Sequence, residues 1–524
     1  MHSTVVIVGA GPNGLMLAGE LLRNGVEPLV LDALPERSAY PRANGLVGQV
    51  VQALDRRGVH ELITGSPHPP SPASSFQFGA LPLDLSGMDD NALHLLPVPQ
   101  RRLSEVLEKH GGVRVHRGHQ VTDLTREEDH VVLRVTGPDG PYELTAGWVV
   151  GADGGSSLVR KRSGIDFPGV TQHGMVTRSG QVCVDEPVAV PDSGQLHVPG
   201  VGLLWPGTFH RTERGVFVFG MFEPGVYRVA AIEWEQTDEP DTTEMPLAEL
   251  RQAVKRVLGA DLPMSEPPEP HHPALSRRSE GTNSRIADRY RRGRVLLLGD
   301  AAHVQSGIGG PGLNLGLQDA LNLGWKLAAE VKGWAPEGLL DTYESERRPV
   351  GERVITHSRA QTALLSPGPN ITALREVLTE LLADAPAVAR LSHLLSGGDT
   401  TYDLPDTGAL VGKWLPDLTF TDHTTVTTLS RPGKPLLLLL DDEAADALTP
   451  IAERWSDRVE LHRKHPTTPP PAAALLVRPD GYVAWSGTSP TTLEAALRTW
   501  FGDPLDHSTL GEWDVYETYR EVIS

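Results

Sequence analysis

A chain of 524 residues exceeds what one hydrophobic core supports, so two or three domains are expected; 39% hydrophobic and 22% charged residues describe a globular protein. A formal net charge of -20 repels phosphates over most of the surface, which argues against nucleic acid or an anionic membrane and leaves a small molecule as the expected partner. The single cysteine, Cys183, excludes an internal disulfide, a thiolate metal cluster and a paired redox motif, and points to a reducing compartment. The longest aliphatic run, Leu436 to Leu440, is far short of the roughly 20 residues of a membrane helix. Met1-His2-Ser3-Thr4 passes straight into a hydrophobic strand with no cationic leader, so a cytoplasmic protein is expected.

Val5 to Val8 is an aliphatic strand, Gly9-Ala10-Gly11-Pro12-Asn13-Gly14 follows, and Leu15, Leu17, Ala18, Leu21 and Leu22 mark a helix with one apolar face. In that setting Gly9 makes the turn, Gly11 admits a pyrophosphate, and Gly14 lets helix and strand pack closely. After Gly25, a helix stop, Pro28 to Leu31 forms a second strand ending in Asp32, an acid roughly 20 residues beyond the glycines, where a ribose is held. Strand, glycines, helix, strand and acid in this order define a dinucleotide site. Arg42 follows in a polar loop, where a solvated arginine and a ligand contact are equally open.

From Pro67 to Pro99 the alternation of Phe76, Phe78, Leu81, Leu83 and Leu85 predicts an antiparallel excursion, and Gln100 starts a helix returning to the first domain. Strands are expected near Val113 to His116 and Val131 to Thr136. Trp148 to Gly155 reads as a second buried strand tipped by an acid, Asp153, beside glycines. Residues 180–270 alternate short strands with one helix near Leu247 to Leu258, an insert whose antiparallel sheet would wall a substrate site. Its aromatics Trp205, Phe209, Phe217, Phe219, Phe222, Tyr227 and Trp234 suit a core at least as well as a pocket. His197 and His210 suit structural roles better than acid–base ones, and the adjacent His271-His272 lacks metal-ligand spacing.

The densest signal lies between Arg294 and Val331. Val295 to Leu298 is a buried strand delivering Gly299-Asp300 at its C-terminal end, where open α/β sheets bind ligands. Gly307-Ile308-Gly309-Gly310-Pro311-Gly312 carries no side-chain bulk at its glycines, so backbone amides can approach a planar or anionic group. A helix follows, with Leu313, Leu317, Leu321, Gly324, Ala328 and Val331 at helical spacing. Leu340 to Gln361 reads as a long charged helix and Ala373 to Leu395 as further helix. Asp403 to Gly408 marks a boundary. Beyond it, strands at Leu436 to Leu440, Val459 to His462, Ala474 to Val477 and Tyr482 to Trp485 precede a helix from Thr491 to Phe501, an order that suits a thioredoxin-like fold, here without thiol chemistry.

Three ordered motifs, GAGPNG from Gly9, GADGGSSLVR from Gly151 and GDAAH with GGPGLNLGLQDALNLGWKLA from Gly299 to Ala328, resemble the FAD-dependent aromatic hydroxylases of the para-hydroxybenzoate hydroxylase type. The likeness covers the whole chain. The segments FGALPLDLS and PDGYVAW and the cysteine-free tail are most similar to the branch that tailors aromatic polyketides and includes rifampicin monooxygenase. The implied fold is α/β: a Rossmann-like FAD-binding domain over 1–66, 100–179 and 280–365, with an inserted α+β substrate domain over 67–99 and 180–279. A helical linker over 366–402 and a thioredoxin-like domain over 403–524 complete it.

The resemblance implies that Asp32 holds the adenosine ribose, Arg42 and Gln100 the diphosphate and ribityl region, and Asp300 the ribityl and pyrophosphate side. Leu313 and Asn314 would offer backbone amides to the flavin pyrimidine ring, and Asp153 would serve FAD and NADPH together. Ala33, Val121, Gly154, Pro311 and Gly312 join Gly9, Gly11, Asn13 and Gly14 at the cofactor, the backbone of Gly307, Gly309 and Gly310 forms the flavin loop, and no metal is involved. Two departures stand out: Gly307 replaces a proline common beside the flavin C4a position, and Ser156 falls where DGxRS is common. The implied activity is NADPH- and O2-dependent hydroxylation of a large phenolic or quinone-like substrate through a flavin C4a-hydroperoxide, by a monomer or homodimer. Baeyer–Villiger oxygenation and a flavin- and drug-binding protein without turnover are the alternatives.

Overall fold

The strand β1 (His2–Val8) buries Val5 to Val8 in succession, because both faces of a parallel sheet are covered. The computed structural model describes residues 2–38, 44–190, 193–234, 241–242, 244–268 and 276–504. After β1, α1 (Pro12–Arg23) begins with proline at its first turn, where no amide is missed, and β2 (Leu29–Asp32) lies parallel to β1. Next come β3 (Gly45–Val47), α2 (Gln49–Asp55), α3 (Val59–Thr64), the hairpin β4 (Ser75–Phe78) and β5 (Leu81–Asp84), and β6 (Leu95–Pro97), which pairs with β3. The helix α4 (Gln100–His110) leads to β7 (Val115–Arg117), β8 (Gln120–Arg126), β9 (Val131–Gly137) and β10 (Gly140–Gly151), followed by the short α5 (Leu158–Arg162).

The insert comprises β11 (Gly169–Cys183), β12 (Leu196–Val198), β13 (Gly202–Leu204), β14 (His210–Thr212), β15 (Gly215–Glu223), β16 (Val226–Trp234), α6 (Leu247–Leu258) and β17 (Arg277–Ile286). The chain then returns through β18 (Arg291–Arg292), β19 (Val295–Leu297), β20 (His303–Val304), α7 (Pro311–Val331), α8 (Thr342–Leu365), α9 (Pro369–Leu381) and α10 (Ala385–Ser396). One sheet runs β18-β19-β10-β1-β2-β7, with β8 and β9 joined to β10; β19, β10, β1, β2 and β7 are mutually parallel. A second, antiparallel sheet runs β14-β15-β16-β11-β17-β20. Its outer face packs under α6 in a cluster of Val182, Phe217, Phe219, Tyr227, Val229, Leu250 and Val254.

Two units emerge, Met1–Ala328 with Asp341–Thr400, and Ala329–Leu340 with Thr401–Ser524. The second contains α11 (Val426–Leu429), β21 (Leu436–Leu439), α12 (Asp442–Ala452), β22 (Glu460–Arg463), β23 (Ala474–Val477), β24 (Val483–Ser486) and α13 (Pro490–Phe501). Its sheet order is β22-β21-β23-β24, with β21 and β22 parallel and the other pairs antiparallel. Leu436, Leu438, Leu475, Val477 and Val483 fill one face. The interposed segment 329–340 contributes Trp334, whose ring lies 5.6 Å from the Arg458 guanidinium and whose carbonyl packs against Gly502.

The structure refines the sequence expectations at a few local points. The further helix read over Ala373 to Leu395 forms two helices, interrupted at Leu382 to Asp384, because Pro386 disfavours helical geometry just before it and fits only a new first turn. The strand β8 and the helices α2 and α3 carry weak periodicity and were not anticipated. His271-His272 and Arg42 lie outside the described residues.

Candidate active site

A cleft of about 1240 Å³ opens at the C-terminal ends of β1, β2, β10 and β19 and continues across the inner face of the antiparallel sheet. A typical ligand pocket is about 300–1,000 Å³, so this one has room for a dinucleotide and a second molecule. Its cofactor half starts at the first glycine loop. Gly9 adopts φ +107 and donates its amide to the Leu31 carbonyl at 2.8 Å; a side chain there would strike Ala152. Gly14 packs so closely on the Gly9 carbonyl that a methyl would overlap it, whereas nothing lies within 4 Å of a methyl at Gly11. That space faces the N-terminus of α1, which has no side-chain cap, so its free amides and positive dipole end are available to an anion.

Asp32 closes the loop: one oxygen accepts the Ala10 amide at 2.8 Å, the other the Leu34 amide at 2.8 Å. A carboxylate offers about four acceptor directions, so capacity remains for ribose hydroxyls. Asp153 is held differently. Its Oδ2 accepts the Leu158 and Val159 amides at 2.7 and 3.1 Å, capping α5, while Oδ1 is buried with no partner among the described residues. Burial raises this carboxyl above the usual aspartate range, against the pull of the Ser157 hydroxyl and the capping amides.

The loop between β20 and α7 forms the far wall. Gly307 and Gly310 have open space where side chains would project, leaving a flat ring free access to the backbone. Helix α8 braces this loop from behind. The Ser358 hydroxyl donates to the Ser306 carbonyl at 3.2 Å, and Gln361 accepts the Gly79 amide at 3.3 Å while lying against Gly309. His357, pushed down to about 4 by burial and by Arg353, stays neutral and can accept from the Gln361 amide at 3.4 Å. Asn314 ties the loop to β3, accepting the Val47 amide and donating to the Gly310 carbonyl. Beneath Gly299 sits a fully buried cluster: Asp319 meets Arg347 Nε at 2.9 Å, His303 Nε2 at 2.7 Å and the Gly299 amide at 3.3 Å.

The substrate half is lined by Phe76, Pro206, Phe209, Val218, Met221 and Ala230, with Arg228 among them. His210 donates to the Trp205 carbonyl or accepts its amide, and stacks on Phe219 at 6.0 Å, while His197 is exposed; both therefore take structural or surface places. Phe217 and Tyr227 lie in the core, whereas Trp205 is 56% exposed. Burial pushes the Cys183 thiol up, the opposite of what a reactive thiolate needs.

Gly9, Gly11, Asn13, Asp32, Ala33, Gln100, Val121, Asp153, Gly154, Asp300, Gly307, Gly309, Gly310, Gly312 and Leu313 all line this one cleft. Gly14, Pro311 and Asn314 stand behind it and shape it. Sequence reasoning missed Gln361, Ser358, Asp319 and Arg228; α8 reads as a charged surface helix, and nothing in its spacing singles out the residues that turn inward.

The residues present fit a flavin dinucleotide: an open cradle at Gly11, an uncapped helix end, spare acceptors on Asp32 and an orphaned Asp153 oxygen. A pyrophosphate cradle at the C-terminal ends of parallel strands is the architecture of dinucleotide-binding enzymes, FAD-dependent ones among them. Residues 2–358 match the FAD binding domain family and residues 408–504 the aromatic-ring hydroxylase C-terminal family. The chain belongs to the FAD-dependent aromatic hydroxylases and is an FAD-dependent monooxygenase. It is 39% identical over 521 residues, 96% of this chain and 100% of the relative, to the 12-dehydrotetracycline 5-monooxygenase/anhydrotetracycline 6-monooxygenase of Streptomyces rimosus. It is 36% identical over 507 residues, 95% of this chain and 98% of the relative, to the rifampicin monooxygenase of Rhodococcus hoagii. The solved anhydrotetracycline hydroxylase of Streptomyces rimosus superposes with a TM-score of 0.83 at 37% identity, covering 96% of this chain and 100% of that one. Among the described residues no helix is long and apolar enough to cross a membrane, and no cluster of side chains could hold a metal ion.

Asp300 presents an exposed carboxylate at the tip of β19. Asp300→Ala is expected to purify largely colourless, as read by flavin absorbance per protein, and to melt like the unaltered chain when both are stripped of flavin. Full FAD occupancy in that variant would remove Asp300 from the cofactor contacts.

Proposed function

We propose that the chain is an NADPH- and O2-dependent hydroxylase of a large multi-ring phenolic or quinone-like substrate, acting in the cytoplasm as a monomer or homodimer. The observation that carries this is a single cleft joining the cofactor cradle to a wide, mostly apolar sheet face. The relatives named for tetracycline and rifampicin substrates, matched over nearly the whole chain, support a multi-ring substrate. FAD reduced by NADPH supplies O2 activation and transfer of one oxygen atom to an electron-rich ring carbon.

The chain's own residues hold the reactants in place. Asp32, the α1 amides and Gln100 bind the adenosine and diphosphate portion. Backbone amides near Leu313 and the glycine loop stabilise negative charge on the ring system, by the same logic as an oxyanion hole. Phe76, Phe209, Val218 and Ala230 sandwich the substrate and exclude water. The second unit, thioredoxin-like in strand order, is structural. The test is a screen of multi-ring phenols for stimulated NADPH oxidation, with product masses read for one oxygen derived from O2. A ring-expanded lactone would establish Baeyer–Villiger insertion instead, and a bound flavin that NADPH never bleaches would make the chain a binding protein.

Gly307 frees the loop where proline is common, and freedom there costs coupling. Gly307→Pro is expected to lower the hydrogen peroxide released per NADPH consumed by about twofold or more. Among the described residues the Gly307 amide donates no hydrogen bond that proline would remove, and its carbonyl still accepts the Gly310 amide at 3.0 Å. Unchanged or increased peroxide release would sever the link between this residue and coupling.

A further inference from the structure

The inner face of the antiparallel sheet is apolar along most of its length and cationic at one end. On β16, Tyr227, Val229 and Ala231 point into the core under α6, so Arg228, Ala230 and Ile232 share the opposite face. Ile232 belongs to one buried cluster with Ile308 of the glycine loop. Arg228 is four residues further along the strand, roughly 13 Å away at about 3.3 Å per residue. It lines the cleft.

No hydrogen bond or acidic side chain meets the Arg228 guanidinium among the described residues. Burial, with repulsion from Arg277, pushes it down to about 10. Its cross-strand neighbours explain why it stays open. On one side is Gly220, which has no side chain to cover it. On the other is Gln181, whose Oε1 is buried and without a partner among the described residues, and beyond it Ser179, whose hydroxyl likewise has none among them. A half-buried guanidinium without an anion is costly, and that cost falls when an acceptor arrives. Its planar donor fork matches an oxygen acid better than any neutral group. Phenylalanines and aliphatics elsewhere in the cleft do not require a charge of this kind.

We propose that Arg228 determines substrate specificity by binding an ionised oxygen, a carboxylate or an acidic phenolate, at one end of a multi-ring aromatic whose other end lies against the Ser306–Gly310 loop. The position of the reacting end rests on the hydroxylase reading; the demand for an anion does not.

The test uses oxidised, FAD-loaded protein without NADPH, titrated with two matched pairs: an anthraquinone carboxylate against its carboxamide, and alizarin against its dimethyl ether. Flavin absorbance reports binding. In at least one pair the anion is expected to bind at least about tenfold more tightly than its neutral partner. The pair showing the preference tells carboxylate from phenolate. Arg228→Met should erase that preference with flavin content and melting temperature retained, and Arg228→Lys should keep part of it. Equal affinities within both pairs, no affinity for either anion, or a preference surviving in Arg228→Met overturns the proposal. A preserved charge preference with no stimulated NADPH oxidation would sink the hydroxylase reading while leaving Arg228 in its role.

Discussion

Gly14→Ala is expected to weaken FAD binding by about 100-fold or more, roughly 2.8 kcal/mol at 1.4 kcal/mol per tenfold, and to lower stability without ligand as well. The added methyl would overlap the Gly9 carbonyl and press on Ala152. Both are backbone or short side chains, so relief requires α1 to back away from β1, which dismantles the cradle. Overpacking of this kind costs about 1–3 kcal/mol by itself. Gly11→Ala is the informative companion. Its methyl meets nothing within 4 Å, so the variant should melt like the unaltered chain when stripped of flavin, yet bind FAD weakly because the methyl occupies the room a pyrophosphate needs. Calorimetric titration of stripped protein with FAD, beside thermal melts, separates the two. Normal FAD affinity in Gly11→Ala would place the pyrophosphate elsewhere.

Arg347→Met should be the most destabilising single change outside the cleft. Arg347 and Asp319 are both fully buried at 2.9 Å, and Asp319 also receives His303 Nε2 and the Gly299 amide. Removing one member of a buried pair costs about 3–5 kcal/mol because the remaining charge is uncompensated, which lowers the Tm on the order of 10 °C. Adding Asp319→Asn to Arg347→Met should restore part of the loss, since the stranded charge disappears with it. A double variant less stable than the single one would refute that account. Burial alone would raise the Asp319 carboxyl, but the charges of His303 and Arg347 and their hydrogen bonds outweigh it and hold it below the usual range. Its folded pKa being the lower one, its stabilisation is present above the unfolded value of about 3.9 and is lost only as pH falls below that. Chemical denaturation between neutral pH and pH 4 should therefore show no loss from this group.

The cradle was legible because its parts are local. Strand, glycines and helix are fixed within a short span by hydrogen bonds and steric limits that depend on residue type alone. The acids Asp32, Asp153 and Asp300 were found for the same reason, each ending a strand with continuous aliphatic character. What Asp153 does was not legible: its first duty is to cap α5, and only its second oxygen is spare, a division set by geometry. Gln361 and Ser358 were invisible because α8 is polar on several faces, and which polar residue turns inward depends on what packs against it. Arg228 was one arginine among many until the sheet register placed Gly220 and Gln181 beside it.

The chain passes between its two units at residues 328, 340 and 400, so the second unit is built from two separate stretches. Exchanging everything after Thr400 with a relative's tail would therefore leave Trp334 facing a foreign Arg458 and Gly502 position. A working chimaera must carry residues 329–340 along with the tail. Evolutionary shuffling of this tail as a free cassette is discouraged by the same arrangement, which ties its inheritance to the middle of the gene.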